Sequence, residues 1–182
     1  MEYNKVRDTL KDGQVVFILA KTWKQKLICL VTGGRFSHVG FLVWMYDGLG
    51  RKRLMCIESN FGGARLVQAS AYIPRGMTVL DIGIDWTEYE DSAFGDTGKL
   101  PYSIPNLVLI GMKTLLNKVG LRKLAKLVPR DHHGEVCSEY VATLLVEVGR
   151  YQLDAFISPH ELYEMLMSAP VLRGVTVIEA VD

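Results

Sequence analysis

A cysteine, a histidine and a carboxylate are the residues of this 182-residue chain whose types and surroundings could do chemistry together. Cys137 stands in Glu135-Val136-Cys137-Ser138-Glu139-Tyr140-Val141, at the first turn of a stretch with helical apolar spacing. A helix start presents unpaired N–H groups and the positive end of the backbone dipole, which favour a thiolate and can hold an oxyanion. Such a thiol is a nucleophile in need of a base. His38 lies in Phe36-Ser37-His38-Val39-Gly40, at the mouth of an apolar strand, and Glu58 closes a second strand, Leu54-Met55-Cys56-Ile57-Glu58. The imidazole would take the thiol proton and later return it to a leaving group. The carboxylate would accept from the other ring nitrogen and fix the tautomer. The expected reaction is acyl transfer through a Cys137 acyl-enzyme. A peptide amide, an isopeptide, a lipid ester and a thioester all suit it as substrate.

Other residues compete for these roles. Asn60 is a second candidate to orient the imidazole, and His160 a second candidate base, although a polar residue after Pro159 at a helix start needs no catalytic explanation. His132 and His133 invite a metal, but their spacing to Cys137 and Cys56 matches no established ligand set, so neither metal nor cofactor is expected. Cys29 and Cys56 fall inside apolar helix and strand patterns and read as core.

Positioning the three residues requires a sheet followed by a helix. Strand signals fall at 14–20, 39–46, 54–58, 65–69 and 77–82, separated by turns such as Asp47-Gly48 and Asn60-Phe61-Gly62-Gly63, with a last strand at 174–178. Short hairpin connections make the sheet antiparallel. Helical spacing runs over 23–31, with Trp23, Leu27, Leu30 and Val31 on one face and Gly33-Gly34 as the stop. It returns over 137–148, ended by Gly149, and over 159–167. The fold class is α+β, an antiparallel sheet flanked by helices in one domain over 1–182.

Six acids and no Lys or Arg lie between Asp81 and Asp96, then seven bases and no acid from Lys99 to Arg130. The basic block carries Leu107, Val108, Leu109, Ile110, Met112, Leu115, Leu116 and Val119, then Leu121, Leu124, Leu127 and Val128 at helical spacing, and so forms one or two helices broken near Gly120, a helical basic insertion at about 103–130. A face packed on the domain's own core is the favoured reading. It places contact with an anionic membrane surface second and anticipates weak or absent vesicle binding.

Composition narrows the setting. Hydrophobic content of 49% with 23% charged residues belongs to a soluble globular protein, and a net charge of +1 supplies no pull toward nucleic acid. Three cysteines without paired spacing argue against a disulfide framework and for a reducing compartment. The polar N-terminus shows no secretory signal, and the apolar runs are too short to span a bilayer. A cytoplasmic location is expected, a virion-associated or injected protein being the exception.

Taken in order, these segments resemble the circularly permuted papain-like hydrolases of the NlpC superfamily, in particular the YiiX-type group related to lecithin retinol acyltransferase. The resemblance rests on Asp12-Gly13 with the strand after it, Ser37-His38-Val39-Gly40, Ile57-Glu58-Ser59 with Gly63-Ala64-Arg65-Leu66-Val67, Gly98-Lys99-Leu100-Pro101-Tyr102, Val136-Cys137-Ser138-Glu139-Tyr140-Val141, and Ser158-Pro159-His160-Glu161-Leu162. It departs from the family at Asp12-Gly13, where the order is reversed, and at Ser59, where a small Ala is usual. It implies a permuted papain-like (NlpC-type) fold with Cys137, His38 and Glu58 catalytic, and Tyr102 and Ser138 near the substrate. It leaves three functions open: a thiol amidase or peptidase, a lipid acyltransferase or phospholipase, and a non-enzymatic binding or virion module that keeps the fold.

Overall fold

A computed structural model describes residues 1–130, 134–147, 151–153 and 156–181, with the side chain of Val31 left aside. Five consecutive apolar residues make β1 (Val15–Leu19) a strand covered on both faces, and it occupies the interior of the sheet. On one side of it lie β2 (Phe36–Tyr46), β3 (Lys52–Asn60) and β4 (Gly63–Gln68); on the other lie β5 (Met77–Asp81) and β6 (Gly174–Ile178). The order is β4-β3-β2-β1-β5-β6, and every pairing is antiparallel. The helices among the described residues are α1 (Tyr3–Val6), α2 (Trp23–Thr32), α3 (Glu90–Asp96), α4 (Ile104–Lys118), α5 (Arg122–Ala125), α6 (Cys137–Glu147) and α7 (Pro159–Met167). The architecture is therefore the expected α+β one. The expected end of α6 at Val148 and Gly149 lies outside the described residues, as do His132 and His133.

Strand alternation builds two apolar layers. Val15, Phe17, Phe41 and Ile57 face Tyr140, Val141 and Leu144 of α6 and Leu162 and Leu166 of α7. Val16, Ile18, Leu42, Cys56 and Val79 face the other way, onto Tyr3 and Val6 of α1 and onto Tyr72, which belongs to a 3₁₀ turn between β4 and β5. Helix ends follow their local chemistry. Thr22 and Gln25 form a capping box at α2, Gly33 closes that helix in the left-handed region, and Ser158 and Glu161 form a second box at α7.

The basic block packs inward only in part: Ile110 is buried with Val136 and Phe156, and Leu107, Leu109 and Val128 pack against them, whereas Val108, Leu115, Val119, Leu121, Leu124 and Leu127 are exposed, as are Trp23, Leu27 and Leu30 of α2. α2 and α4 lie against each other, with Gly33 at the end of α2 against Thr114 and Lys118 of α4.

Gly40 is where β2 and β3 press closest. A Cβ built there would stand 2.6 Å from Cys56 Sγ and 2.6 Å from the Ile57 carbonyl oxygen. Because one obstacle is backbone, Gly40→Ala must part the strands. We expect a loss of about 1–3 kcal/mol in urea denaturation, and an unchanged midpoint would show that the strands yield freely.

Candidate active site

The β2–β3 register brings His38 to Glu58. Phe41 pairs with Ile57, so the same register sets Glu58 opposite Gly40, whose missing side chain lets the carboxylate reach along the sheet. His38 Nε2 lies 2.7 Å from Glu58 Oε2, and both residues are buried. His38 sits inside β2 rather than at its mouth because pairing with β1 extends the strand back to Phe36.

His38 shares the face of Ile18 and Leu42, with the Tyr72 ring centre 5.9 Å from its own, and the strand bulges beside it. Ile18 pairs with His38 but Leu19 pairs with Phe36, leaving Ser37 unpaired, and Phe36 and Val39 consequently both join the α6-side core. Cys137, the first residue of α6, lies within electrostatic reach of the imidazole at this irregular strand end. The three residues singled out in the sequence thus lie together, in the order sulfur, imidazole, carboxylate.

Charge reinforces the arrangement. Burial works against an imidazolium, but the negative charges of Cys137 and Glu58, together with the hydrogen bond to Glu58, outweigh it and raise the His38 pKa to about 10. Burial likewise opposes ionisation of Glu58, yet the His38 charge and the hydrogen bonds from His38, Tyr72 and Arg65 lower its pKa to about 2. Glu58 is fully engaged as an acceptor. The Tyr72 hydroxyl donates to Oε2, while Arg65 Nε and Nη2 donate to Oε1 at 3.2 and 3.1 Å. Asn60 Nδ2 reaches Oε1 at 3.4 Å, so this residue supports the carboxylate and leaves the imidazole to Glu58.

Three of these neighbours were not singled out from the sequence. Arg65 pairs directly with Glu58 across β3–β4, a relation that appears only once the register is known. Tyr72 comes from the 3₁₀ turn, where no periodicity marks it. From the same turn, Arg75 Nη2 donates to Ser37 Oγ at 2.7 Å, Nε donates to the Leu19 carbonyl at 3.0 Å, and the guanidinium lies over the Tyr72 ring. These bonds hold the bulge in place.

The start of α6 is fixed from below by Glu139. Its carboxylate accepts from the Val136 N–H at 3.1 Å and from Asn106 Nδ2 at 2.9 Å, and lies 3.0 Å from Arg130 Nε. Burial raises its pKa to about 6 against those partners. Ser138 donates to the Ile157 carbonyl at 2.6 Å, tying α6 to the segment before α7. Tyr102 packs against Phe61 with ring centres 4.9 Å apart and lies within electrostatic reach of Cys137. Its position follows from Gly63, at φ +91°, which lets the Leu100 carbonyl approach to accept from the Ala64 N–H at 3.0 Å. His160 packs against Gly34 and Phe36 with Nε2 3.4 Å from Glu164.

No protein-family model and no curated protein matches this sequence. Among solved structures, the fold is similar to that of the metalloprotein YiiX from Escherichia coli O157:H7, at 18% identity and a TM-score of 0.50. The match covers 94% of this chain and 98% of that one. Among the described residues no group of three His, Cys, Asp or Glu is placed to hold a metal ion. The chain has a YiiX-like α+β fold.

Proposed function

We propose that this protein is a cysteine hydrolase of the permuted papain-like, NlpC-type kind, acting on an amide or ester. The observation that carries the reading is a buried imidazole held between Glu58, at 2.7 Å, and the sulfur of the first residue of a helix. His38 takes the proton of the Cys137 thiol, and the sulfur bonds to the substrate carbonyl carbon. First-turn N–H groups of α6, which lack intrahelical acceptors, stabilise the oxyanion. The C–N or C–O bond then breaks as His38 gives its proton to the leaving amine or alcohol. Water, deprotonated by His38, attacks the thioester, and the acid departs with regeneration of the thiol. Glu58 holds the ring throughout and stays ionised.

Reactivity tests the nucleophile. Burial pushes the thiols of Cys29 and Cys56 upward, and at Cys56 the Glu58 charge adds to the effect. Iodoacetamide at neutral pH should therefore label Cys137 first, as read by peptide mass spectrometry over time. Equal labelling of the three would remove the basis for the proposal. Release of product from short peptides, or from phospholipid vesicles, then separates an amidase from an enzyme acting on lipid esters. Cys137→Ala should be inactive on either.

A further inference from the structure

The site described above leaves unexplained why two neighbouring helices turn apolar side chains to water. On α2 the outward residues are Trp23, Leu27 and Leu30, spaced four and three apart, with Trp23 71% and Leu30 76% exposed. On α4 they are Ile104, Val108, Met112, Leu115 and Val119, again one helical stripe, with Leu115 58% exposed. Leu121, Leu124 and Leu127 continue the apolar surface through α5, Leu127 at 75% exposure. The two helices pack together, with Gly33 at the end of α2 against Thr114 and Lys118 of α4. A contiguous layer of this kind has something to cover it.

Charge identifies the cover. Residues 21–35 and 104–127, within which this layer lies, hold nine of the 21 Lys and Arg of the chain and none of its 20 Asp and Glu. Among the described residues, Lys26, Lys118, Arg122, Lys123 and Lys126 take part in no ion pair. Of the acids that reach α4, Glu139 is buried beneath it on Asn106, and Glu161 and Glu164 of α7 line clefts with Lys113, Asn117 and Lys118. A second copy of the chain would bring the same positive charge to the same face and be repelled. Apolar stripes among unpaired cations match the interface of a bilayer carrying anionic lipid, where apolar side chains enter the headgroup boundary and Lys and Arg meet the phosphates. No helix among the described residues is long and apolar enough to cross a membrane, so such contact lies on the surface.

We propose that α2, α4 and α5 form a docking face for an anionic membrane surface. The exposure of these stripes confines packing on the domain's own core to the other side of the block, around Ile110, and leaves this face open to such contact. The face also adjoins the candidate site: Lys26, Leu30 and Lys118 border one open cleft of about 660 Å³ with Arg75, whose guanidinium holds the bulge beside His38.

Co-sedimentation of the whole protein with phosphatidylcholine vesicles, with and without 30 mol% phosphatidylglycerol (about a third anionic), tests this at low and high salt. Binding is expected only to the anionic vesicles and weakens with salt. Arg122→Gln/Lys123→Gln/Lys126→Gln should reduce it by about a hundredfold, each cation near the surface contributing roughly a factor of five. Leu30→Gln/Leu115→Gln should also reduce it, and because both positions are exposed the variant should keep its circular dichroism and melting temperature. Cys137→Ala should bind like the parent, which separates this inference from the hydrolase proposal. Failure to bind anionic vesicles would overturn it. So would binding insensitive to both variants, or a dimer in analytical ultracentrifugation that Leu30→Gln/Leu115→Gln dissolves.

Discussion

Replacing His38 with alanine should slow alkylation of Cys137 at neutral pH by 10²-fold or more, the lower end of what a positioned acid–base group typically contributes. In the folded protein the negative charge of Cys137 helps hold the His38 imidazole in its charged form. Removing the ring leaves the sulfur with only the helix terminus. The variant should remain folded, because Glu58 keeps Arg65 and Tyr72 as partners. The measurement is the second-order rate constant with iodoacetamide, with far-ultraviolet circular dichroism as the control. A folded His38→Ala protein that alkylates at the parental rate would show that the imidazole does not activate the thiol.

Glu58→Ala should be the most damaging single substitution for stability. It strips a buried carboxylate from a buried imidazole, a buried tyrosine hydroxyl and the Arg65 guanidinium, and breaking such a pair from one side costs about 3–5 kcal/mol. In a chain of this size each kcal/mol moves the melting temperature by about 2–4 °C, so the drop should be plain in calorimetry. The pH dependence follows from the two shifts. Glu58 is lowered from 4.5 to about 2, so its stabilisation is fully present above about pH 4.5 and is lost as pH falls toward 2. His38 is raised from 6.5 to about 10, so its stabilisation is fully present below about pH 6.5 and is lost as pH rises through 10. Both act together between those limits. Glu58→Gln should erase much of the acid limb, and an acid limb of parental size would locate it in other carboxylates.

The sequence made the skeleton of the fold and the three central side chains legible because their signals are local. The helix start at Cys137, the alternating runs around His38 and Glu58, and the turns between them are read from neighbours a few positions away. What the sequence hid depends on register and packing. Arg65 faces Glu58 only through the β3–β4 pairing, and Tyr72 and Arg75 come from a 3₁₀ turn that resembles mere punctuation between strands. The bulge at Ser37 required knowing that Leu19 pairs with Phe36. The stripes of α2 and α4 were visible as periodicity, but a pattern states which side chains share a face and not what lies over that face.

The order in which the site's parts leave the ribosome carries a further consequence. His38 and Glu58 belong to one hairpin, and Arg65, Tyr72 and Arg75 follow within the next short segment, whereas Cys137 arrives about sixty residues later. The imidazole, its carboxylate and their supports can be assembled while the nucleophile is still being synthesised. A nascent or truncated chain that stops before α6 therefore holds a prepared base with no thiol to activate, and a chain that has not docked α6 holds a thiol without its base. Reactivity at Cys137 thus reports completed folding, and pulse alkylation during refolding would time the last docking step.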